Sequence, residues 1–208
     1  VDVWYVSYGS NLCEDRFMCY INGDRPIGSA KKEIGCQDKT PPKASRKAEI
    51  PYPLYFAKEQ SKWGPGGVAF IGHVQTDYAA TIGRMFLITE EQFSEVVSQE
   101  NNEYGLHVDF NRVIEKGYQK LTEGWYGRIV FLGDKDGYPM FTFTSNDSMD
   151  KQSFVKPSSA YLSTIANGLL GLGLTKTEIT DYFSGKRGIH RHFSRESLAE
   201  YMFGTVER

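Results

Sequence analysis

Two short stretches carry residue types that could do chemistry together. The first is Tyr8-Gly9-Ser10-Asn11, between a strand-like run, Val3 to Tyr8, and a helix-like run, Glu14 to Tyr20. A strand, a small-residue turn and a helix start leave several N–H groups without internal partners, aimed at one spot. Such a turn can receive an anion, or stabilise an oxygen on which negative charge develops. A side chain at Gly9 would obstruct approach, and Asn11 reads as a helix cap. The second stretch ends in Glu100. Phe93, Val96 and Val97 stand at i, i+3, i+4 and give a helix one buried face, and Glu100, seven residues beyond Phe93, returns close to that face. Solvation alone would not place a carboxylate at the inner edge of a helix end; proton transfer would use it there.

Other residues offer rival chemistries. Ser10 and Cys13 lie by a helix N-terminus, which favours a thiolate, and either could act as a nucleophile in a hydrolase or acyltransferase. No G-x-S-x-G surrounds Ser10, and no histidine has an evident partner role. His190-Arg191-His192 has alternating ring spacing that could hold a metal, with Glu196 within reach. It lacks a supporting Cys, Asp or Glu cluster and reads more simply as a surface loop in the basic run 186–192. His73 and His107 read as packed or exposed residues.

These candidates need elements to position them. Residues 22–49 are polar and broken by Gly28, Gly35, Pro41 and Pro42, which predicts a long loop, functional or mobile, with room for short strands. Ile50 to Lys58 reads as an edge strand, because Pro51 and Pro53 cannot donate ladder bonds. A Trp63-Gly67 turn leads to strands over 68–74 and 80–88. Thr89, followed by Glu90 and Glu91, starts the helix that ends at Glu100. Strands over 124–132 and 138–145 flank Asp136-Gly137, a hairpin signal. Beyond Pro157 the pattern turns helical over 158–170, 176–183 and 195–203, with Ser158, Thr175 and Ser194 as caps. Strands first and helices last argue an α+β fold. No internal repeat interrupts it, and 208 residues suit one domain.

With those elements in order, the segment Tyr5-Val6-Ser7-Tyr8-Gly9-Ser10-Asn11-Leu12 resembles the opening of the gamma-glutamylcyclotransferase-like superfamily. The resemblance continues through Gly66-Gly67-Val68-Ala69-Phe70, a glycine-led central strand. Phe86-Leu87-Ile88-Thr89, then Phe93 and Gln99-Glu100, resemble the strand and short helix that end in the catalytic glutamate. Gly124-Trp125-Tyr126 is similar to the family's G-x-Y strand. Pro157-Ser158-Ser159-Ala160-Tyr161-Leu162, Ile165, Gly168 and Gly171-Leu172 resemble its terminal helix. Two departures stand out, an insertion at about 101–123 and the long linker 22–49.

The resemblance implies a small, partly closed mixed β-barrel over about residues 1–150, with flanking helices and C-terminal helices over about 157–205. It also implies release of 5-oxoproline from a γ-glutamyl amide or amine, with Glu100 as general acid/base. Tyr8, Gly9, Ser10, Asn11, Leu12, Tyr126 and Tyr161 are then expected around the substrate, with Tyr8 packed beneath the loop. No metal and no organic cofactor is expected, and the oligomeric state, monomer or homodimer, stays open. The alternative is a non-catalytic small-molecule-binding module of the same fold, or an acyl or aminoacyl transferase using Ser10 or Cys13.

Bulk composition narrows the partners. The chain is 40% hydrophobic, 24% charged and 14% aromatic, with a net charge of −2. No global field attracts nucleic acid or an anionic membrane. No apolar run approaches the ~20 residues of a membrane helix, and the N-terminus lacks a signal-peptide pattern. Cys13, Cys19 and Cys36 are odd in number and form no C-x-x-C, so reduced thiols and a cytoplasmic setting are expected.

Overall fold

The computed structural model describes residues 1–78 and 80–204. Its strands are β1 (Asp2–Ser7), β2 (Ser45–Ile50), β3 (Leu54–Ala57), β4 (Gln60–Ser61), β5 (Gly64–Pro65), β6 (Val68–Ile71), β7 (Thr81–Thr89), β8 (Tyr118–Lys120), β9 (Arg128–Lys135) and β10 (Tyr138–Thr144). The helices are α1 (Glu14–Asn22), α2 (Glu90–Glu100), α3 (Phe110–Lys116), α4 (Ser159–Gly171), α5 (Lys176–Ser184) and α6 (Arg195–Phe203).

Six strands form one mixed sheet in the order β2-β7-β1-β10-β9-β8, with β1 and β10 parallel and the other pairs antiparallel. β3 and β6 pair separately, as do β4 and β5. β2 and β8 remain unjoined edges, so the expected barrel does not close: the fold is α+β around an open sheet. Pro51 and Pro53 fall in the turn between β2 and β3 rather than inside an edge strand, which corrects the reading of 50–58. A residue that cannot donate to a ladder ends the strand here.

β1 shows why the sheet carries two cores. Its side chains alternate between faces. Val3 and Tyr5 join Phe17 and Tyr20 of α1, Phe93, Val96 and Val97 of α2, and Phe110 and Val113 of α3. Trp4 and Val6 join β3, β6 and the C-terminal helices through Phe56, Phe70, Leu162, Ile165 and Phe183. A strand buried on both faces reads as a continuous apolar run, as Val3 to Val6 does. At the hairpin after β9, Asp136 and Gly137 adopt φ 52° and 82°, the left-handed pair that a two-residue turn requires.

The helix ends follow the sequence chemistry. Thr89, Thr175 and Ser194 complete capping boxes, and the Ser158 side chain accepts from the Tyr161 N–H. Of the loop expected over 22–49, residues 45–49 belong to β2. The 23–44 segment is a loop without strands, stapled by α2: Gln99 accepts from the Gly35 N–H at 2.9 Å, and Gln92 donates to the Asp38 and Thr40 carbonyls. The 101–123 insertion contains α3 and β8; the Asp109 side chain caps α3 by accepting from the Arg112 N–H, and Gly117 ends it.

Candidate functional site

β1 runs out at Ser7, and residues 8–13 bend over its end in a single 3-10 turn, Ser10–Leu12. The Leu12 N–H bonds the Gly9 carbonyl at 3.0 Å and the Cys13 N–H bonds the Ser10 carbonyl at 3.1 Å. Among the described residues the N–H groups of Gly9, Ser10 and Asn11 find no acceptor. These three residues line a cavity of about 390 Å³. Glu100, at the end of α2, lines it too, together with Tyr8, Tyr126 and Tyr161.

Asn11 joins the two halves. Its Nδ2 donates to Glu100 Oε1 at 3.0 Å and to the Tyr5 hydroxyl at 3.1 Å. The expectation that Asn11 caps α1 is therefore corrected: Cys13 occupies the N-cap and makes no side-chain cap bond. The amide is spent on the carboxylate 89 residues away instead, a charge-assisted bond.

Two tyrosines approach from the other side and share the Ala69 peptide of β6. The Tyr161 hydroxyl accepts from the Ala69 N–H at 2.9 Å, which leaves its own proton free to donate. The Tyr126 hydroxyl donates to the Ala69 carbonyl at 3.0 Å, which leaves its oxygen free to accept. One ring thus offers a donor and the other an acceptor. Burial raises the pKa of Tyr5, Tyr8, Tyr126 and Tyr161, and the Glu100 charge adds to the rise at Tyr5, so all four stay protonated at neutral pH. Tyr8 lies beneath the turn, as expected, donating to the Phe143 carbonyl at 2.7 Å. The strand expected over 124–132 starts later than its sequence pattern suggests: Tyr126 sits in the turn that precedes β9, not within the strand.

Leu12 does not reach the cavity. It is fully buried in the core under α4, where Gly168 packs on its main chain. Arg84 holds this turn from below and gave no signal in the sequence. Its Nε donates to the Leu12 carbonyl at 2.9 Å, and its Nη2 reaches the Gly168 carbonyl at 3.4 Å.

The remaining wall is charged and aromatic. Arg16 is buried, donates from Nε to Ser10 Oγ at 3.0 Å, and lies 4.8 Å from the Trp63 ring centre. Glu33, from the 23–44 loop, has no exposed side-chain surface and accepts from Lys62 Nζ at 2.9 Å, with Arg16 at 4.0 Å. Lys62 also donates to the Tyr20 hydroxyl at 2.5 Å. Tyr5, Lys62, Trp63 and Trp125 line the cavity and were not singled out in the sequence. The alternation of β1 could have pointed to Tyr5; the others stand on segments with no periodicity.

The rival nucleophiles lack what they would need. Ser10 Oγ is bound by Arg16, no histidine lines the cavity, and Cys13 is not part of its lining. His190 and His192 are exposed in the connection between α5 and α6, and among the described residues no group of three or more His, Cys, Asp or Glu side chains gathers. All three cysteines are free, and burial raises the Cys36 thiol well above its ordinary value. Among the described residues no helix is long and apolar enough to cross a membrane.

Comparison with solved structures defines the class of fold. A gamma-glutamyl cyclotransferase superposes with a TM-score of 0.51 at 14% identity, over 97% of this chain and 98% of the other. An uncharacterized protein from Homo sapiens superposes with a TM-score of 0.50 at 15% identity, over 97% of this chain and 98% of that one. The chain therefore has the gamma-glutamyl cyclotransferase-like fold, although its sheet is open. No protein-family model matches the sequence. A curated relative, histone deacetylase 5 of Arabidopsis thaliana, is 36% identical over 202 residues, 88% of this chain. The chain spans 30% of that relative's length, so the name describes a much larger protein.

Proposed function

We propose that the chain is a cofactor-independent cyclotransferase that releases 5-oxoproline from a γ-glutamyl amide. The observation that carries this reading is the 3.0 Å bond from Asn11 to Glu100, which sets a carboxylate beside the turn of unpartnered N–H groups. An acid/base and an oxyanion site then face the same small cavity.

The chemistry needs little more. The substrate's α-ammonium gives one proton to the Glu100 carboxylate, and the freed lone pair forms a bond to the γ-carbonyl carbon. The carbonyl oxygen takes up negative charge against the N–H groups of Gly9 to Asn11. Protonated Glu100 gives its proton to the amide nitrogen as the old C–N bond breaks. The second proton of the attacking nitrogen passes through Glu100 to the departing amine, which leaves as an ammonium. Ring closure within one molecule avoids the entropy of encounter, on the order of 7–11 kcal/mol for well-oriented groups. The Tyr161 proton suits the α-carboxylate and the Tyr126 oxygen suits the α-ammonium, which fixes the direction of attack.

Glu100→Gln tests the reading, because it keeps the shape and the Asn11 contact but cannot take a proton. Turnover of γ-glutamyl substrates is expected to vanish while ligand binding persists. Activity above about a tenth of wild type would remove Glu100 from the mechanism, since a positioned acid/base contributes roughly 10²–10⁴-fold.

A further inference from the structure

Asn101 follows Glu100 directly, caps the end of α2, and is buried in the cavity wall. Its Nδ2 donates to the Val97 carbonyl, one turn back in α2, at 2.9 Å, and to the Tyr126 carbonyl at 3.2 Å. Its Oδ1 accepts from the Tyr126 N–H at 2.9 Å. One side chain thus grips both main-chain polar groups of Tyr126, as a neighbouring strand would, and ties them to the helix that carries Glu100. Gly124 makes room for the grip, because a Cβ there would overlap the Asn101 amide. Among the described residues, Tyr126 makes one hydrogen bond besides these two, from its hydroxyl to the Ala69 carbonyl.

The clasp lies at the neck of the 101–123 insertion. Asn101 and Tyr126 stand 25 residues apart in the chain, and the ends of so long an excursion stay free unless something pins them. Other contacts close the same neck: the Thr122 hydroxyl donates to Glu103, and Asn146 Nδ2 donates to the Thr122 carbonyl at 2.7 Å. Neither of them touches Tyr126. Both hydrogens of Asn101 Nδ2 are spent on protein carbonyls, so the amide has nothing left to donate to a ligand.

We propose that Asn101 is a positioning residue, which sets Tyr126 at a fixed separation from Glu100 and acts on the reaction only through Tyr126. The inference rests on the cyclising reading of the cavity. In that reading the Tyr126 oxygen receives the α-ammonium and Glu100 takes its proton, so the attacking nitrogen must reach both groups at once. Glu100 is placed by α2, whereas Tyr126 sits in a turn at the far end of the insertion. The Asn101 amide makes the two placements one. Its loss would leave Glu100 on its helix and let Tyr126 drift, and a displacement of about 1 Å can cost on the order of 100-fold in rate.

A double-mutant cycle tests the role, with Asn101→Ala, Tyr126→Phe and the two combined, assayed for 5-oxoproline release well below every melting point. Asn101→Ala should lower kcat/KM by about tenfold or more. In the Tyr126→Phe background, which keeps the clasp but lacks the hydroxyl, the same change should cost no more than about twofold. Asn101→Ala should lower the melting temperature equally in both backgrounds, so a merely structural role would give equal rate losses as well. Asn101→Ser, whose hydroxyl can still reach the Val97 carbonyl while Tyr126 is released, replaces Asn101→Ala if that variant does not fold. Thr122→Val, which loosens the neck and leaves Tyr126 clasped, should keep kcat/KM within about twofold of wild type. Equal rate losses in the two backgrounds, or a loss in Thr122→Val as large as in Asn101→Ala, would overturn the proposal. Calorimetry with an unreactive γ-glutamyl analogue, a methylene replacing the scissile N–H, repeats the cycle without turnover. Non-additive binding losses in a wild type that binds the analogue but forms no 5-oxoproline would keep the positioning role and remove the cyclising reaction. Turnover with additive losses would do the reverse, and a wild type that neither binds nor turns over would remove both.

Discussion

Helix α4 crosses so close to the 8–13 turn that Gly168→Ala should damage the site from behind. A Cβ built on Gly168 would lie 2.4 Å from the Leu12 carbonyl carbon and 2.6 Å from the Cys13 nitrogen. Carbon pairs settle at about 3.5–4.0 Å, so helix and turn must separate by about 1 Å. Both obstacles are main chain, and no rotamer change relieves them. Overpacking of this kind costs roughly 1–3 kcal/mol, and the helix preference of alanine over glycine returns about 1 kcal/mol. With the strain at its upper end the net loss is about 2 kcal/mol, or a melting temperature lower by about 4–8 °C for a chain of this size. The site should suffer more than the fold, because a displacement of about 1 Å can cost on the order of 100-fold in rate. Circular dichroism melts give the first quantity, and 5-oxoproline release well below both melting points gives the second. Gly171→Ala is the control: its Cβ would meet no main chain, only the Arg84 guanidinium, at 3.1 Å. If Gly168→Ala melts no lower than wild type and turns over normally, α4 does not set the height of the turn.

Arg84→Met should lower stability by about 3 kcal/mol in urea titrations, since the Leu12 and Gly168 carbonyls lose a buried charged donor. Glu33→Gln should cost a similar amount, about 3–5 kcal/mol, by leaving Arg16 and Lys62 without their buried counter-charge, and hydrogen exchange should rise across the 23–44 loop. His73 gives a pH dependence of known sign. Burial lowers its pKa, against the opposing effect of the Ser145 carbonyl at 2.7 Å, so the unfolded chain binds the extra proton first. Its contribution is present above about pH 6.5, the ordinary value for histidine, and is lost as pH falls towards the lowered folded value. In His73→Gln the stability slope across that window should flatten.

Local chemistry made most of the elements readable. Thr89, Ser158, Thr175 and Ser194 announce helices because a side-chain oxygen there satisfies orphan N–H groups. Asp136-Gly137 announces a hairpin for an equally local reason. The Glu100 position was legible from a three-residue apolar stripe, and the Tyr8 to Asn11 turn from its small residues. What escaped depends on partners far along the chain. Asn11 looked like a cap, yet its amide binds Glu100; nothing within four residues distinguishes the two uses. Arg84 sits mid-strand and is defined by carbonyls of residues 12 and 168. The open edges at β2 and β8 follow from the strand order, which is set by pairings between distant segments.

Electrostatics explains why the charged wall and the acid/base are kept apart. Glu100 ends α2, where the helix dipole disfavours a negative charge. A salt bridge would offset that but would also oppose the proton transfer to Glu100 that the proposed reaction requires. Lys62 lines the same cavity and could form such a bridge. Instead, Glu33 engages Lys62 at 2.9 Å, and Glu100 accepts from the neutral amide of Asn11 at 3.0 Å. In the proposed reaction, the loop that carries Glu33 would act on the chemistry without touching substrate. It follows that Glu33→Gln should lose more turnover than its instability explains, because Lys62 is released towards Glu100. Adding Lys62→Met should restore part of the rate without restoring stability, a pattern that a purely structural role for Glu33 would not produce.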